Sequence, residues 1–189
     1  MDTAQQGRLT AAGVEFRNAQ LSDVPALQAL IQLSARALGR DDYTSAQIEA
    51  ALRSAWGVDS QLIRDQTYFV GEHAGQIVAC GGWSHRRTLF GGDAQLDRAP
   101  DALDPTREPA RIRAFFVHPA SARRGLGGAL LVLCKRAARE RGFAEAALVA
   151  TLPGERLYAA YGYRSEGARD YPLPGDESIS FVPMRKALR

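Results

Sequence analysis

Between Phe115 and Ala129 an apolar run, Phe115-Phe116-Val117, is followed by His118-Pro119 and then by Arg123-Arg124-Gly125-Leu126-Gly127-Gly128-Ala129. This reads as a buried strand, a loop, and glycines in the first turn of a helix. The first N–H groups of a helix have no partner inside it, and the helix dipole adds roughly half a positive charge there. Glycine lets a backbone approach a bulky anion because no Cβ intervenes. Arg123 and Arg124 add guanidinium donors, so the segment predicts a phosphate cradle. Two other phosphate-binding patterns do not fit. A Walker loop needs Gly-x-x-x-x-Gly-Lys followed by Ser or Thr, and the third glycine of a dinucleotide fingerprint would fall at Leu130. The competing reading is a tight strand-to-helix turn whose glycines only allow close packing. This segment alone leaves both open.

With its spacing the segment resembles the pyrophosphate loop of the GCN5-related N-acetyltransferase (GNAT) superfamily, in particular its small bacterial-type members. In that family the loop follows the fourth strand and reads Arg/Gln-x-x-Gly-x-Gly/Ala. Here Gly125-Leu126-Gly127 supplies the Gly-x-Gly, and Val117-His118-Pro119 precedes it as in many members. Ala122 stands at the family's leading Arg or Gln position, with Arg123 and Arg124 beside it. A second stretch, Leu157-Tyr158-Ala159-Ala160-Tyr161-Gly162-Tyr163, is similar to the family's Leu/Phe-Tyr-x-x-x-Gly-Phe segment after the fifth strand.

The resemblance implies acetyl-CoA as co-substrate, without a metal. It implies an acetyl group moved to the amine of a small molecule or peptide by direct attack. Tyr158 would be the general acid at the CoA sulfur. Phe115, Phe116 and Val117 would hold the pantetheine arm as a pseudo-strand, with the Val117 N–H a candidate donor to the developing oxyanion. Arg123, Arg124, Gly125, Leu126, Gly127, Gly128 and Ala129 would hold the phosphates. Thr151 stands where relatives often carry asparagine and would hydrogen-bond in its place. The implied fold is α/β, of the mixed α+β kind: a mostly antiparallel central sheet, splayed between its fourth and fifth strands and flanked by helices. Some relatives use a glutamate base on the fourth strand, where this chain has Arg111 and Arg113. Strict alternation puts both on one face with Phe115. No base is identified.

The elements that must position these groups follow from periodicity. Val14 and Phe16 alternate with polar residues as a short strand. Ser22 or Asp23 offers an N-cap, and Leu27, Leu30, Ile31 and Ser34 follow at helical spacing. Thr44 or Ser45 caps a second helix carrying Ile48, Ala51, Leu52 and Ala55. Tyr68 to Val70 and Ile77 to Trp83 form a hairpin about a Glu72–Gly75 turn. Ile112 to Val117 is a strand, Leu126 to Ala137 a helix closed by Gly142, Ala146 to Ala150 a buried strand, and Glu155 to Tyr161 a short helix. Closing strands are expected near Tyr163–Arg164 and Ile179–Met184. Residues 1–12 read as a disordered end, and 13–189 as one domain. The stretch from Ser84 to Pro109 is long and poor in large apolar residues, which marks a functional lid over the acceptor site or a disordered insert. Tyr43, Trp56 and Trp83 read as aromatic core, with the acceptor pocket as the alternative.

Composition sets limits rather than a function. The 189 residues are 46% hydrophobic and 24% charged with a net charge of +3, which fits one globular domain of ordinary size. No binding motif or aromatic platform accompanies the small positive excess, so nucleic acid is not an expected partner. No apolar run approaches the ~20 residues of a membrane span, and the first residues lack the apolar core of a secretory signal. The two cysteines, Cys80 and Cys134, stand apart in apolar stretches and read as buried free thiols of a cytoplasmic protein. A homodimer is compatible with the family, although no patch in the sequence marks one. Two other functional classes stay open: a non-catalytic acyl-CoA sensor or regulatory module, and a generic nucleotide-binding domain.

Overall fold

The computed structural model describes residues 10–94, 99 and 101–188. Strand β1 (Thr10–Ala11) pairs with β2 (Val14–Asn18), and the helices α1 (Val24–Leu38), α2 (Ser45–Leu52) and α3 (Ser60–Arg64) follow. Then come β3 (Tyr68–His73), β4 (Gln76–Ser84), β5 (Ala110–Val117), α4 (Leu126–Glu140), β6 (Glu145–Thr151) and α5 (Leu152–Ala160). The chain closes with β7 (Arg164–Ser165), β8 (Arg169–Pro172) and β9 (Ser178–Ala187). The strands form one mixed sheet in the order β1-β2-β3-β4-β5-β6-β9-β7, with β8 also on β9. The first three helices cover one face with a core around Leu27, Ile31, Leu62 and Tyr68. On the other face α4 and α5 enclose Leu131, Cys134, Leu148 and Tyr158. None of the described helices is long and apolar enough to cross a membrane.

Local signals account for most element boundaries. At α2 the Thr44 hydroxyl accepts from Gln47 N–H at 3.2 Å while the Gln47 amide oxygen accepts from Thr44 N–H at 3.0 Å, a reciprocal cap. Asp23 is the N-cap of α1, preceded by a 3-10 turn in which its carboxylate accepts from Gln20 N–H at 2.7 Å. Three elements lay outside the sequence expectation, the first being β1, which falls in the stretch read as a disordered end. Helix α3 offers only Leu62 and Ile63 as buried positions, too few for a helical period to show, and it is capped by Asp59. Strand β8 is mostly exposed and stands on its pairing with β9. Of the stretch 1–12 expected to be disordered, residues 1–9 lie outside the described residues, while Thr10 and Ala11 pair with β2.

The feature that creates a site is the separation of β5 from β6. They are the sheet's only parallel pair among the described strands, and they pair only at Ala110–Ala146 and Arg111–Ala147. Beyond that β6 stays with β9 as far as Thr151, while β5 stays with β4. Because β2 is the first strand expected from sequence, β5 and β6 are the expected fourth and fifth, and the splay between them is present, opened where β5 carries a bulge. Its register against β4 shifts between Cys80 and Gly82, and Ala114 adopts the left-handed φ of 57°. Gly81 makes room for this, since a Cβ there would stand 2.7 Å from the Phe115 ring.

The bulge also corrects the expected alternation. Arg113 packs toward α3 on one face, whereas Phe115 lies against the α4 side, so the two do not share a face. Arg113 carries its charge inside the protein. It is buried and ion-paired with Asp59 at 2.9 Å.

The stretch between β4 and β5 is folded back on itself over its described residues. Arg86 bridges Ala102, Thr88 exchanges hydrogen bonds with Ala99, and Arg87 pairs with Glu108. Asp93 accepts from Ser60 N–H at 3.0 Å, which ties the stretch to the start of α3.

Candidate active site

The loop from β5 to α4 is shaped by local hydrogen bonding and two left-handed residues. His118 Nδ1 accepts from Ala120 N–H at 3.2 Å around a 3-10 turn. Arg123 and Gly125 then take φ values of 63° and 83°. Gly125 is the N-cap of α4 and supplies no side-chain cap, so the anion-attracting end of this helix carries no side-chain cap hydrogen bond. A Cβ at Gly125 would meet nothing within 4 Å, which leaves open space above the helix end. Gly127 and Gly128 serve packing: added Cβ atoms would stand 2.9 Å from Leu157 and 2.0 Å from the Tyr161 hydroxyl. Close packing therefore explains two of the glycines and the open helix end uses the other.

A cavity of about 550 Å³ runs from this helix end through the splay. Phe115 and Val117 from one face of β5 and Phe116 from the other all border it. Of the other expected residues, Arg123, Gly125, Leu126, Gly127, Gly128, Thr151 and Tyr158 line it, while Arg124 and Ala129 do not. Arg124 is exposed beside the loop.

Tyr158 is 8% exposed, with Phe115 at 6.0 Å and Tyr163 at 5.9 Å between ring centroids, both edge-to-face. Its hydroxyl makes no hydrogen bond with any described residue. Burial pushes its phenol well above the ordinary tyrosine value, with Tyr163 and Cys134 adding smaller increments. Such a group keeps its proton at neutral pH and is available as a donor. Thr151 is the N-cap of α5, its hydroxyl accepting from Gly154 N–H at 3.2 Å. Its own O–H remains a donor on the cavity wall.

Ser34, Phe90 and Phe181 line the cavity without having been assigned to the site by sequence, and Tyr43 and Trp56 take the acceptor-pocket reading that was their alternative to core. Ser34, on the inner face of α1, is 4% exposed and its Oγ accepts from Val117 N–H at 3.3 Å. Helical spacing placed it on the buried face, but only the packing of α1 on β5 brings it to that N–H. Tyr43, Trp56, Phe90 and Phe181 line the cavity on the α1–α2 side. The Tyr43 hydroxyl donates to Ser180 C=O and accepts from Leu152 N–H, both at 2.8 Å, and burial raises it to about 12. Arg113, besides Asp59, donates to the Gly91 carbonyl of the insert. Trp83, by contrast, is core against Phe143. The charged side chains among the described cavity-lining residues are Arg113, Arg123 and Arg156; none is Asp, Glu or His.

A mixed sheet opened at its parallel pair, with a helix end and a buried tyrosine at the opening, is an architecture suited to acyl transfer. The sequence profile of the acetyltransferase (GNAT) family matches residues 27–163, and the chain belongs to that family. A GCN5-related N-acetyltransferase from Rhodopseudomonas palustris superposes with a TM-score of 0.67 at 19% identity, over 96% of this chain and 99% of that one. PaiA N-acetyltransferase from Thermoplasma acidophilum, solved with coenzyme A, gives 0.63 at 12% identity over 92% and 98%. The putative acetyltransferase YncA from Salmonella typhimurium, solved with acetyl-CoA, gives 0.61 at 16% identity over 94% and 95%. At these identities the likeness concerns the fold. None of the curated proteins compared with the chain matches it.

Proposed function

We propose that the protein is an N-acetyltransferase that moves an acetyl group from acetyl-CoA to an amine held in the splay cavity. The observation that carries this is the continuity of one cavity from the uncapped end of α4, past Tyr158 and Val117, to the aromatic side chains beneath α1 and α2. Acetyl-CoA supplies a thioester: the amine nitrogen bonds to the acetyl carbon, the carbon–sulfur bond breaks, and one proton passes overall from nitrogen to sulfur.

Arg123 and the first-turn N–H groups of α4 would hold the phosphates, where the open space above Gly125 fits a bulky anion. Val117 N–H and Ser34 O–H would donate to the carbonyl oxygen as it gains negative charge, exchanging their present mutual hydrogen bond for it. Tyr158 would hold the proton destined for the departing sulfur. Fixing amine and thioester together supplies ~7–11 kcal/mol of the barrier by orientation alone.

Two measurements test the reading. Calorimetric titration with acetyl-CoA, with ATP and NAD as controls, is expected to show CoA-selective binding. Thiol release with a panel of amines is then expected to exceed release without amine. No binding at millimolar acetyl-CoA would remove the reading. The absence of acidic side chains and histidine among the described lining residues favours a second reading, an acyl-CoA sensor. That reading requires tight binding with no amine-dependent thiol release.

A further inference from the structure

Resting on the reading just proposed, we infer that the acceptor is a primary amine carried on an aromatic body, rather than a polyamine or a lysine-bearing peptide. The part of the cavity beneath α1 and α2 is walled by aromatic rings from four separate segments. Tyr43 comes from the α1–α2 connection, Trp56 from the chain after α2, Phe90 from the insert and Phe181 from β9. They touch in sequence: Tyr43 to Trp56 at 5.8 Å edge-to-face, Trp56 to Phe181 at 6.2 Å, and Phe181 to Phe90 at 5.9 Å edge-to-face. Phe90 in turn meets Tyr171 of β8 at 5.2 Å. An aromatic guest extends this edge-to-face set, because each added ring offers either an edge or a face.

The Tyr43 hydroxyl and the terminal nitrogens of Arg113 on this wall are already engaged with the protein. The Tyr43 hydroxyl both donates and accepts. The Arg113 guanidinium is paired with Asp59 and donates to the Gly91 carbonyl, a contact that also anchors the insert beside Phe90. A polycation entering here would find arginine as the charged side-chain type among the described lining residues, with no lining carboxylate there to replace the water stripped from its ammonium groups. An aromatic amine needs no such partner for its body and brings only the reacting nitrogen to the Val117 end.

The insert thus acts as a specificity element. Its Phe90 is half-buried, and the backbone beside it is pinned from below by Arg113.

The experiment compares kcat/KM for 2-phenylethylamine, spermidine and a lysine-containing tripeptide by thiol release. In parallel, acetyl-CoA affinity is measured by calorimetry without any acceptor. The aromatic amine is expected to lead the other two by about 10-fold or more, the range that separates a filled from an unfilled apolar pocket. 2-Phenylethanol, which has the same body without the nitrogen, is expected to inhibit competitively against 2-phenylethylamine. Phe90→Ala is expected to lower kcat/KM for 2-phenylethylamine about 10-fold while the Kd for acetyl-CoA stays within about twofold. Equal or better use of spermidine or the tripeptide overturns the inference, as does an absence of competition by 2-phenylethanol. If acetyl-CoA binds normally in either case, the acceptor class alone falls; if acetyl-CoA does not bind, the underlying acetyltransferase reading falls with it.

Discussion

Tyr158 and Ser34 meet the cavity in different ways. Tyr158 reaches it with its hydroxyl free of described partners, and its proton is held by burial. Replacing it with phenylalanine keeps the ring that packs on Phe115 and Tyr163 and removes only the donor. Thiolates are weak bases, with conjugate acids near pKa ~8.5, so the loss is expected to be moderate. Tyr158→Phe should lower kcat about 10²-fold with little change in the Kd for acetyl-CoA, read by steady-state kinetics and calorimetry. Unchanged turnover would remove Tyr158 from the mechanism. Ser34 is engaged with Val117 N–H and would lend one hydrogen bond to a charged oxygen. Ser34→Ala is therefore expected to cost about 10-fold in kcat, the lower range for a hydrogen bond to a charged group, with acetyl-CoA binding retained. A fall in affinity with kcat unchanged would assign Ser34 to packing instead.

At the scale of elements, the Asp59–Arg113 pair connects α3, β5 and the insert. The side chains are 1% and 3% exposed, so water does not screen the charges. Burial of an ion pair adds little net stability by itself, but removing one partner leaves the other charge uncompensated. Arg113→Met should therefore destabilise the fold by about 3 kcal/mol, measured as a shift in the denaturation midpoint. The double replacement Asp59→Asn with Arg113→Met should recover part of that loss, because no lone charge remains. No recovery would mean that the cation serves the Gly91 carbonyl alone.

Across the whole molecule, buried proton donors set the response to alkali. Burial raises Cys80 and Tyr43 to about 12, and pushes Cys134, Tyr68, Tyr158 and Tyr163 upward as well. The unfolded chain releases these protons first, from the ordinary values of 9.0 for cysteine and 10.0 for tyrosine. Their contribution to stability is complete below those values and is lost as pH rises toward the folded ones. Urea midpoints should hold steady from pH 7 to about 8.5 and fall steeply above about 9 to 10. A flat profile through pH 11 would mean that these groups are hydrated in solution.

Much of this protein is legible in its sequence because the signals are local. The cap at Thr44, the hairpin at Ala74–Gly75 and the glycines beginning α4 each depend on neighbours a few residues away. The family pattern of the cradle and of the Tyr158 helix is likewise written within two short windows. Tertiary structure decided what lies opposite them. The bulge at Ala114 breaks the alternation that would have grouped Arg113 with Phe115, and it is accommodated by Gly81 on the facing strand, where a side chain would strike Phe115. Ser34 meets Val117 across 83 positions of chain, and Tyr43 meets Leu152 across 109. The aromatic wall draws on four segments, and sequence left Tyr43 and Trp56 open between core and acceptor pocket and gave Phe90 and Phe181 no place in it. Periodicity reports which face of an element is buried; which distant side chains share a cavity is settled only when the elements pack.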